Sequence, residues 1–188
     1  MSVRIALIML AVVAAVATLA WLLIGTGPDI EQPQVFQTVE LPTPTPAPEQ
    51  RLVLLFIGGD GLLHPELRSV PLPAEVHARI RVVMLELLAG PQNAPELAPI
   101  IPYQAELNAV FVDENANAFV DLTAPPEPLQ GSNTELLLIY GVVDSVILNC
   151  PEVSAVQVLF GGREIPTLTG HLDLSRPLVL NKRFIARS

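Results

Sequence analysis

The chain has 188 residues, with 19 Asp or Glu against 10 Lys or Arg, and its formal net charge is −9. An acidic chain lacks the basic face that nucleic acids require, so no nucleic acid partner is expected. The single cysteine, Cys150, can form neither an intramolecular disulfide nor a zinc cage, and its apolar surroundings predict a buried side chain. Basic residues gather near the end, where 181–188 is predicted to be a basic, solvated tail rather than a binding patch.

The first feature along the chain is an uncharged stretch, IALIMLAVVAAVATLAWLLI, at residues 5–24. A helix needs about 20 apolar residues to cross a membrane, so residues 5–25 are predicted to be a transmembrane anchor. Removal as a signal peptide is the alternative, because Ala15-Val16-Ala17 could pass as a cleavage site. Arg4 precedes the stretch and acidic residues follow it, which indicates a single-pass protein of the cell membrane. Its N-terminus, residues 1–4, would be cytoplasmic and its domain extracytoplasmic, either periplasmic or on the outer surface.

A linker rich in proline and threonine is predicted over residues 26–50. Prolines alternate with Thr and Ala in the sequence PTPTPAP, at positions 42–48. Such a sequence can form neither a helix nor a central strand, and it favours an extended polyproline II conformation. It would act as a spacer that lifts the domain off the membrane, although a featureless linker fits the composition equally well.

The globular domain is predicted to begin with a buried strand and a helix. Leu52–Ile57 is a short apolar run, and the glycine-rich loop Gly58-Gly59-Asp60-Gly61 ends it. Apolar residues then recur at helical spacing over residues 76–88. Pro73 suits the first turn of this helix, and Gly90-Pro91 suits its end.

A hairpin and a second helix are predicted next. The apolar runs Leu107–Val112 and Ala118–Leu122 are joined by the turn-forming sequence DENAN, which predicts an antiparallel pair. Helical periodicity resumes after a proline-rich loop. Ser132 and Glu135 have the spacing of a capping box at the start of this helix, and Pro151 ends it.

The last predicted pair of strands is Val153–Phe160 and Glu164–Leu168, joined by the two-residue turn Gly161-Gly162. Two helices with one apolar face each need a surface to cover, and a twisted sheet supplies one. The predicted fold class is therefore α+β. We expect a two-layer sandwich of a small mixed sheet covered by two helices, preceded by one transmembrane helix, in a strand order that the pattern leaves open.

Four sequence elements occur in an order that resembles a known family. They are LLFIGGDG with Arg68 shortly after it, LLAGP, AFVDLT, and VQVLFGGREIPTLTGHLDLSRPL. Together they resemble the GerMN domain, named for a sporulation and spore-germination protein, and the resemblance covers the domain at residues 51–180. The positions that match the family motifs, all expected to be structural, are Arg68, Gly90, Pro91, Asp121, Gly162, Gly170, His171 and Asp173. Asp121 is predicted to cap a loop, and Arg68 to reach a carboxylate partner in the loops.

The resemblance implies an exported protein associated with the cell envelope. Members are linked to sporulation, to the cell wall and to the assembly of membrane-spanning complexes, and their fold is similar to the ring-building modules of secretion machines. The family carries over no catalytic residue and no cofactor. This chain departs from it in having one domain copy and an anchor helix in place of a lipid-modified cysteine. It also has Asp144-Ser145 where the second helix usually carries Thr-Leu.

Catalytic and metal sites are weaker hypotheses. His171 and Asp173 could pair if they lay on a strand, but no nucleophile motif accompanies them, and bracing of the C-terminal segment is the simpler interpretation. Asp60, His64 and His77 lie near the first loop and helix, yet their spacing matches no metal motif. The sequence therefore predicts no catalytic residue, no cofactor and no metal.

The predicted function is that of a non-catalytic interaction or assembly module of the bacterial cell envelope. Its expected partners are the cytoplasmic membrane, through the N-terminal helix, and other envelope proteins or further copies of itself. Binding of cell-wall glycan or peptide, with peptidoglycan as the partner, is the alternative from another class. The low aromatic content of 5% ranks it second, and an envelope hydrolase that uses His171 and Asp173 ranks third.

Overall fold

A computed structural model describes residues 3–24, 49–125, 129 and 131–187 of the chain. The chain divides into two units, Met1–Pro44 and Thr45–Ser188. The predicted linker falls mainly on residues 26–48, which lie outside the described residues, and so its extended conformation stays a prediction.

The first unit contains helix α1, Val3–Ile24, which coincides with the uncharged stretch of the sequence. Large apolar side chains in its second half are exposed, namely Val12, Val13, Val16, Leu19, Trp21 and Leu22. Within the described part of the chain, however, the structure contains no helix with the length and apolar character needed to cross a membrane. A helix at this position is therefore confirmed, and the predicted transmembrane span is not.

The second unit opens with a β-hairpin. Strand β1, Glu49–Ile57, pairs antiparallel with strand β2, Leu63–Pro71, and Leu54 lies opposite Glu66. The sequence analysis predicts β1 but assigns no strand after the loop at Gly58–Gly61, and so it misses β2. Two positions of β2 that point into the domain carry the buried charged residues Glu66 and Arg68, so the usual alternation of apolar and polar residues is hidden.

Helix α2, Val76–Leu88, confirms the predicted first helix of the domain. Its N-cap is Glu75, whose carboxylate accepts the backbone N–H of His77 at 2.9 Å. The helix begins at Val76, because the Glu75 side chain accepts the free N–H groups of the first turn. Pro73 therefore lies before the helix and not in its first turn. Gly90 has a φ of +76°, the left-handed conformation that commonly ends a helix.

A second sheet has three strands, in the order β3-β4-β5. Strands β3, Leu107–Val112, and β4, Asn117–Leu122, form the predicted antiparallel hairpin. Strand β5, Ala155–Phe160, pairs parallel with β4, so this sheet is mixed as predicted. The prediction of a single sheet is wrong, because β1 and β2 form a separate sheet.

Helix α3, Ser132–Asn149, is the centre of the domain. It contacts β1 of the first sheet, β5 of the second sheet, and α2. Residues 137–139 and 141–146 are all buried, and all but Asp144 and Ser145 are apolar or glycine, as burial on most sides of a helix favours. Helix α2 also contacts both sheets, through β1 and β3. The helices thus pack against two sheets, which corrects the prediction that they cover one face of one sheet.

Two polar side chains of α3 complete the hydrogen bonding of β1. The N–H of Leu55 donates to Ser145 Oγ at 3.1 Å, and the N–H of Val53 donates to Asn149 Oδ1 at 2.9 Å. Asn149 Nδ2 donates in return to the carbonyl of Val53 at 2.7 Å. A strand edge normally presents unpaired backbone groups, and here side chains satisfy them. Strand β1 consequently does not need a neighbouring strand on this side, and the two sheets stay separate.

The described chain after β5 contains no further strand. Gly161-Gly162 has positive φ at both residues, as the predicted turn requires. Residues 164–168 do not form the predicted returning strand, because the end of this loop donates hydrogen bonds to Glu135 of α3 instead. The edge of β5 is bridged further on, where Val156 and Leu178 exchange two backbone hydrogen bonds of 2.8 Å.

Residues 181–187 pack on the domain around a short 3-10 helix, Lys182–Phe184. The ring of Phe184 stacks on Tyr140 of α3 with 4.8 Å between the ring centroids. The N–H of Ala186 donates to the carbonyl of Leu63 in β2 at 2.8 Å. This segment therefore has its basic side chains in solvent while its backbone and apolar side chains are fixed to α3 and β2.

The contact between Gly141 of α3 and Ile100 yields a stability prediction. A Cβ atom on Gly141 would lie 2.8 Å from both Cδ1 and Cγ2 of Ile100, whose side chain is 1% exposed. We expect Gly141→Ala to lower the free energy of unfolding by about 1–3 kcal/mol through overpacking, despite the higher helix propensity of alanine. Urea unfolding followed by circular dichroism measures this value. The substitution should cost less in an Ile100→Ala background, and an equal cost in both backgrounds would contradict a direct clash.

Candidate functional site

Arg68 of β2 is buried, and its guanidinium is occupied by contacts inside the domain. Nε donates to Glu66 Oε1 at 2.7 Å, and Nη1 donates to Glu86 Oε2 at 2.8 Å. Nη2 donates to the carbonyl of Gly90 at the end of α2, and the guanidinium carbon lies 5.5 Å from the ring centre of Phe56. These contacts join β2 to the C-terminal end of α2. Arg68 does have carboxylate partners, but they lie on β2 and α2 and not in the loops, where the sequence predicts them.

The Glu66 carboxylate organises the loop that follows Pro91. It accepts hydrogen bonds from the backbone N–H groups of residues 92–94 at 3.0–3.2 Å. Burial raises the pKa of Glu66, but the hydrogen bonds from Arg68 and from this loop outweigh it and leave the pKa below its usual range. Glu66 is therefore a buried anion that ties the loop to β2.

Glu135 is a second buried anion, and the sequence analysis predicts the wrong role for it. The N-cap of α3 is Gly131, so the predicted capping box between Ser132 and Glu135 is wrong. The Glu135 carboxylate faces the loop after β5 instead, because that loop directs a row of donors at it. The donors are Thr167 Oγ1 at 2.7 Å, Leu168 N at 2.8 Å, Thr169 N at 3.2 Å, Thr169 Oγ1 at 2.6 Å and His171 N at 3.0 Å. Burial raises the pKa of Glu135, but these donors together lower it to about 2.

Two family-motif positions shape the turns next to this loop. Asp121 at the end of β4 accepts the backbone N–H of Gly162 at 2.8 Å, which is the loop contact that the sequence predicts for it. Gly170 has a φ of +92°, and its N–H donates to Thr167 Oγ1 at 2.7 Å. Both positions contribute backbone geometry rather than a reactive group.

The candidate catalytic pair is not brought together. His171 is exposed, and among the described residues no hydrogen bond joins it to Asp173. Asp173 instead accepts the N–H of Ser175 at 3.0 Å and its hydroxyl at 2.5 Å, and it faces Arg176 at 3.4 Å. An acid–base pair needs its members within hydrogen-bond reach, and this segment is a turn rather than the strand that could align them.

The residues considered for a metal site are divided between two local pairs. His64 Nε2 lies 3.0 Å from Asp60 Oδ1, and His77 Nδ1 lies 2.5 Å from Glu75 Oε1. Across the described ranges, the structure holds no group of three or more His, Cys, Asp or Glu side chains with the arrangement of a metal site. His64 and His77 each have one carboxylate neighbour, which makes a local hydrogen-bonded pair and not a ligand set.

Asp144 is a buried carboxylate in the middle of α3. Its Oδ1 accepts the N–H of Asn181 at 3.0 Å, whereas Oδ2 has no hydrogen-bond partner among the described residues. Burial raises the pKa of Asp144 to about 6, although the hydrogen bond from Asn181 lowers it in part. Asp144 therefore anchors the start of the C-terminal segment. Its charged form lowers the stability of the folded domain, because burial disfavours the charge.

A groove with a volume of about 570 Å³ lies beside the β1–β2 sheet, and we term it the C-terminal groove. Its apolar lining comes from the hairpin, the end of α3 and the C-terminal segment, and consists of Val53, Leu55, Pro65, Leu148, Ile185 and Ala186. Three basic residues, Lys182, Arg183 and Arg187, complete the lining. The sequence analysis missed this groove because its walls are about 130 positions apart. The apolar pair at 184–185 within a basic tail was the available signal.

Comparison with known proteins identifies the family. The family described as "Germane: Sporulation and spore germination" matches residues 53–166, which is more than half of the chain. The chain therefore belongs to the Germane family, and the predicted GerMN resemblance is confirmed. No curated protein sequence matches the chain.

Two solved structures show the same fold. A candidate lipoprotein from Clostridium perfringens is 19% identical with a TM-score of 0.51, over 70% of this chain and 88% of that one. The tandem GerMN domains of the sporulation protein GerM from Bacillus subtilis are 12% identical with a TM-score of 0.53, over 70% of this chain. This chain covers 46% of the tandem protein, which is less than half of its length.

Removal of the Glu135 carboxylate should destabilise the domain. We expect Glu135→Ala to lower the free energy of unfolding by about 2–5 kcal/mol, because half-buried backbone N–H groups and two threonine hydroxyls lose their acceptor. Glu164→Ala, at an exposed glutamate of the same loop, is the matched control and should change it by less than about 0.5 kcal/mol. The pKa of Glu135 is depressed from 4.5 to about 2, so the stabilisation is present above pH 4.5 and is lost as the pH falls toward 2. Urea unfolding at several pH values tests both statements, and a loss no larger than that of the control would contradict them.

The raised pKa of Asp144 predicts the opposite pH dependence. Its pKa is about 6 in the folded chain against 3.8 for the unfolded group, so the folded state binds more protons between these values and loses stability as the pH rises. We expect Asp144→Asn to be about 1–3 kcal/mol more stable than the natural chain at pH 7.5. The advantage should shrink as the pH falls from 6 to 4 in the same unfolding measurements. A difference that does not vary with pH would show that ionisation of Asp144 has no part in it.

Proposed function

We propose that this protein is a non-catalytic interaction module of the bacterial cell envelope, held at the membrane by residues 5–25. The observation that carries the proposal is the use of the polar motif residues within the domain. The motif residues Arg68 and Asp121 bind backbone groups of their own chain, and so does Glu135, a buried carboxylate outside the motif positions. A domain whose motif side chains are committed in this way offers partners a shaped surface rather than a reaction centre.

The location outside the cytoplasm is supported by sequence and family. Residues 5–24 carry no charge, Arg4 precedes them, and acidic residues follow them. The Germane family is described by sporulation and spore germination, and one protein with this fold is a candidate lipoprotein. Segment 5–25 then keeps the domain at the membrane on its extracytoplasmic side, at a distance set by the linker.

The surface that we propose for protein contact is an aromatic face made of His77, Phe111 and Phe119. Phe111 on β3 is 57% exposed, and its ring centroid lies 6.3 Å from that of His77 and 5.9 Å from that of Phe119. Clustered aromatic rings with one exposed member are typical of the centre of a protein interface. The proposed partners are other envelope proteins, including further copies of this chain.

Binding of cell-wall glycan receives less support. Glycan sites usually offer aromatic rings for stacking or carboxylates for hydrogen bonding, and neither lines the C-terminal groove. The exposed aromatic ring on β3 stands on a surface and not in a groove. We therefore keep the interaction module as the single proposed function.

Photo-crosslinking in the native membrane tests the proposal. A photoreactive phenylalanine analogue replaces Phe111 in the full chain, and the matched control carries it at Arg163, an exposed position in the turn after β5. Membranes are washed at alkaline pH before analysis, which removes proteins that are not embedded. We expect the chain to stay in the washed membranes and to form defined protein adducts from position 111 only.

Two results would contradict the proposal. Release of the chain by the alkaline wash would show that residues 5–25 do not hold it at the membrane. Equal adducts from positions 111 and 163, or adducts with peptidoglycan fragments alone, would show that the aromatic face is not a protein contact.

A further inference from the structure

The C-terminal groove combines an open apolar floor with a fixed wall. The floor includes Val53 and Pro65 of the hairpin and Leu148 of α3, which is 40% exposed. The wall is the C-terminal segment, which is anchored at Asp144 through Asn181 and at β2 through Ala186. Because both sides are held by long-range contacts, the groove is formed before any ligand arrives, which lowers the cost of binding.

The charge of the groove is opposite to that of the rest of the chain. Lys182, Arg183 and Arg187 line it, and all three are exposed. In the part of the chain that the structure describes, none of them forms an ion pair, while the chain as a whole carries a net charge of −9. Three cations beside an apolar floor form a local site for an anion attached to an apolar body.

We infer that the C-terminal groove binds a long-chain carboxylate, with the acyl chain on the apolar floor and the carboxylate against Lys182, Arg183 and Arg187. A volume of about 570 Å³ is within the usual range for a site that holds one small molecule. A peptide strand fits less well, because its backbone N–H and C=O groups would meet a mainly apolar lining and lose hydrogen bonds to water. An acyl chain has no such groups. This inference rests on the groove and is independent of the aromatic face.

The test uses a photoactivatable hexadecanoic acid with a diazirine in its chain, added to membranes that contain the full-length protein. After irradiation, mass spectrometry locates the labelled peptides. We expect label on the peptides that contain Val53 and Leu148, and competition by palmitate. Hexadecanol, which has the same chain without the charge, should compete about tenfold less, since it cannot pair with the cations.

Matched variants assign the label to the groove. A variant with Lys182, Arg183 and Arg187 all replaced by Gln should lose about tenfold in labelling. Arg176→Gln should not, because Arg176 is a basic residue of the same region with 76% of its side chain exposed and does not line the groove. Leu148→Asp should also abolish labelling, by placing a charge on the floor. Circular dichroism melting curves show that each variant is folded.

Several outcomes would overturn the inference. Equal competition by palmitate and hexadecanol would remove the role of the cations. Label confined to α1 would show that only the lipid phase is sampled. Stronger competition by palmitoyl lysophosphatidate than by palmitate would assign the groove to a phospholipid headgroup. A photoreactive phenylalanine analogue placed at position 148 that forms protein adducts, in a chain that takes no acyl label, would assign the groove to a peptide.

Discussion

The fold depends on four polar side chains of α3, a helix whose central residues are mostly apolar and buried and which packs against both sheets. Ser145 and Asn149 satisfy the backbone of β1, Glu135 collects the donors of the loop after β5, and Asp144 holds the start of the C-terminal segment. A buried polar group that lacks a partner costs as much as a lost hydrogen bond or more, so each contact fixes where a distant segment can lie. The helix therefore positions the irregular parts of the domain as well as its sheets.

The regular elements of the domain follow the sequence pattern, and the polar contacts explain where that pattern fails. Helices α2 and α3 and strands β1, β4 and β5 each bury a set of apolar residues, and β3 packs half-buried apolar residues against the same core, so the apolar pattern detects all six. Strand β2 escapes detection because Glu66 and Arg68 occupy inward positions, paired with each other. Residues 164–168 have the composition of a strand but lie in a loop whose backbone donors go to Glu135, a tertiary contact that local propensity cannot show.

The candidate site is likewise only partly predictable, since some of its residues belong to sequence motifs and others come together only in the folded chain. The motif positions are visible in the sequence, and the structure shows why such residue types stand there, since Arg68 and Asp121 bond to backbone groups near glycines. The C-terminal groove has no local signature, because β1 and the C-terminal segment meet only after folding. A sequence-based analysis can thus assign the family and its structural residues, and it has no access to the surface that would meet a ligand.

The joining of β2 to the C-terminal segment has a consequence for how the chain matures. Ala186 pairs with Leu63, and Asn149 pairs with Val53, so contacts of large sequence separation complete the first sheet. Such contacts form late in folding, because closing a long loop costs chain entropy before the contact can stabilise the chain. A chain that is synthesised from its N-terminus leaves the buried face of α3 partly uncovered until residue 186 has arrived. Synthesis therefore creates an interval in which the apolar residues of α3 are open to aggregation.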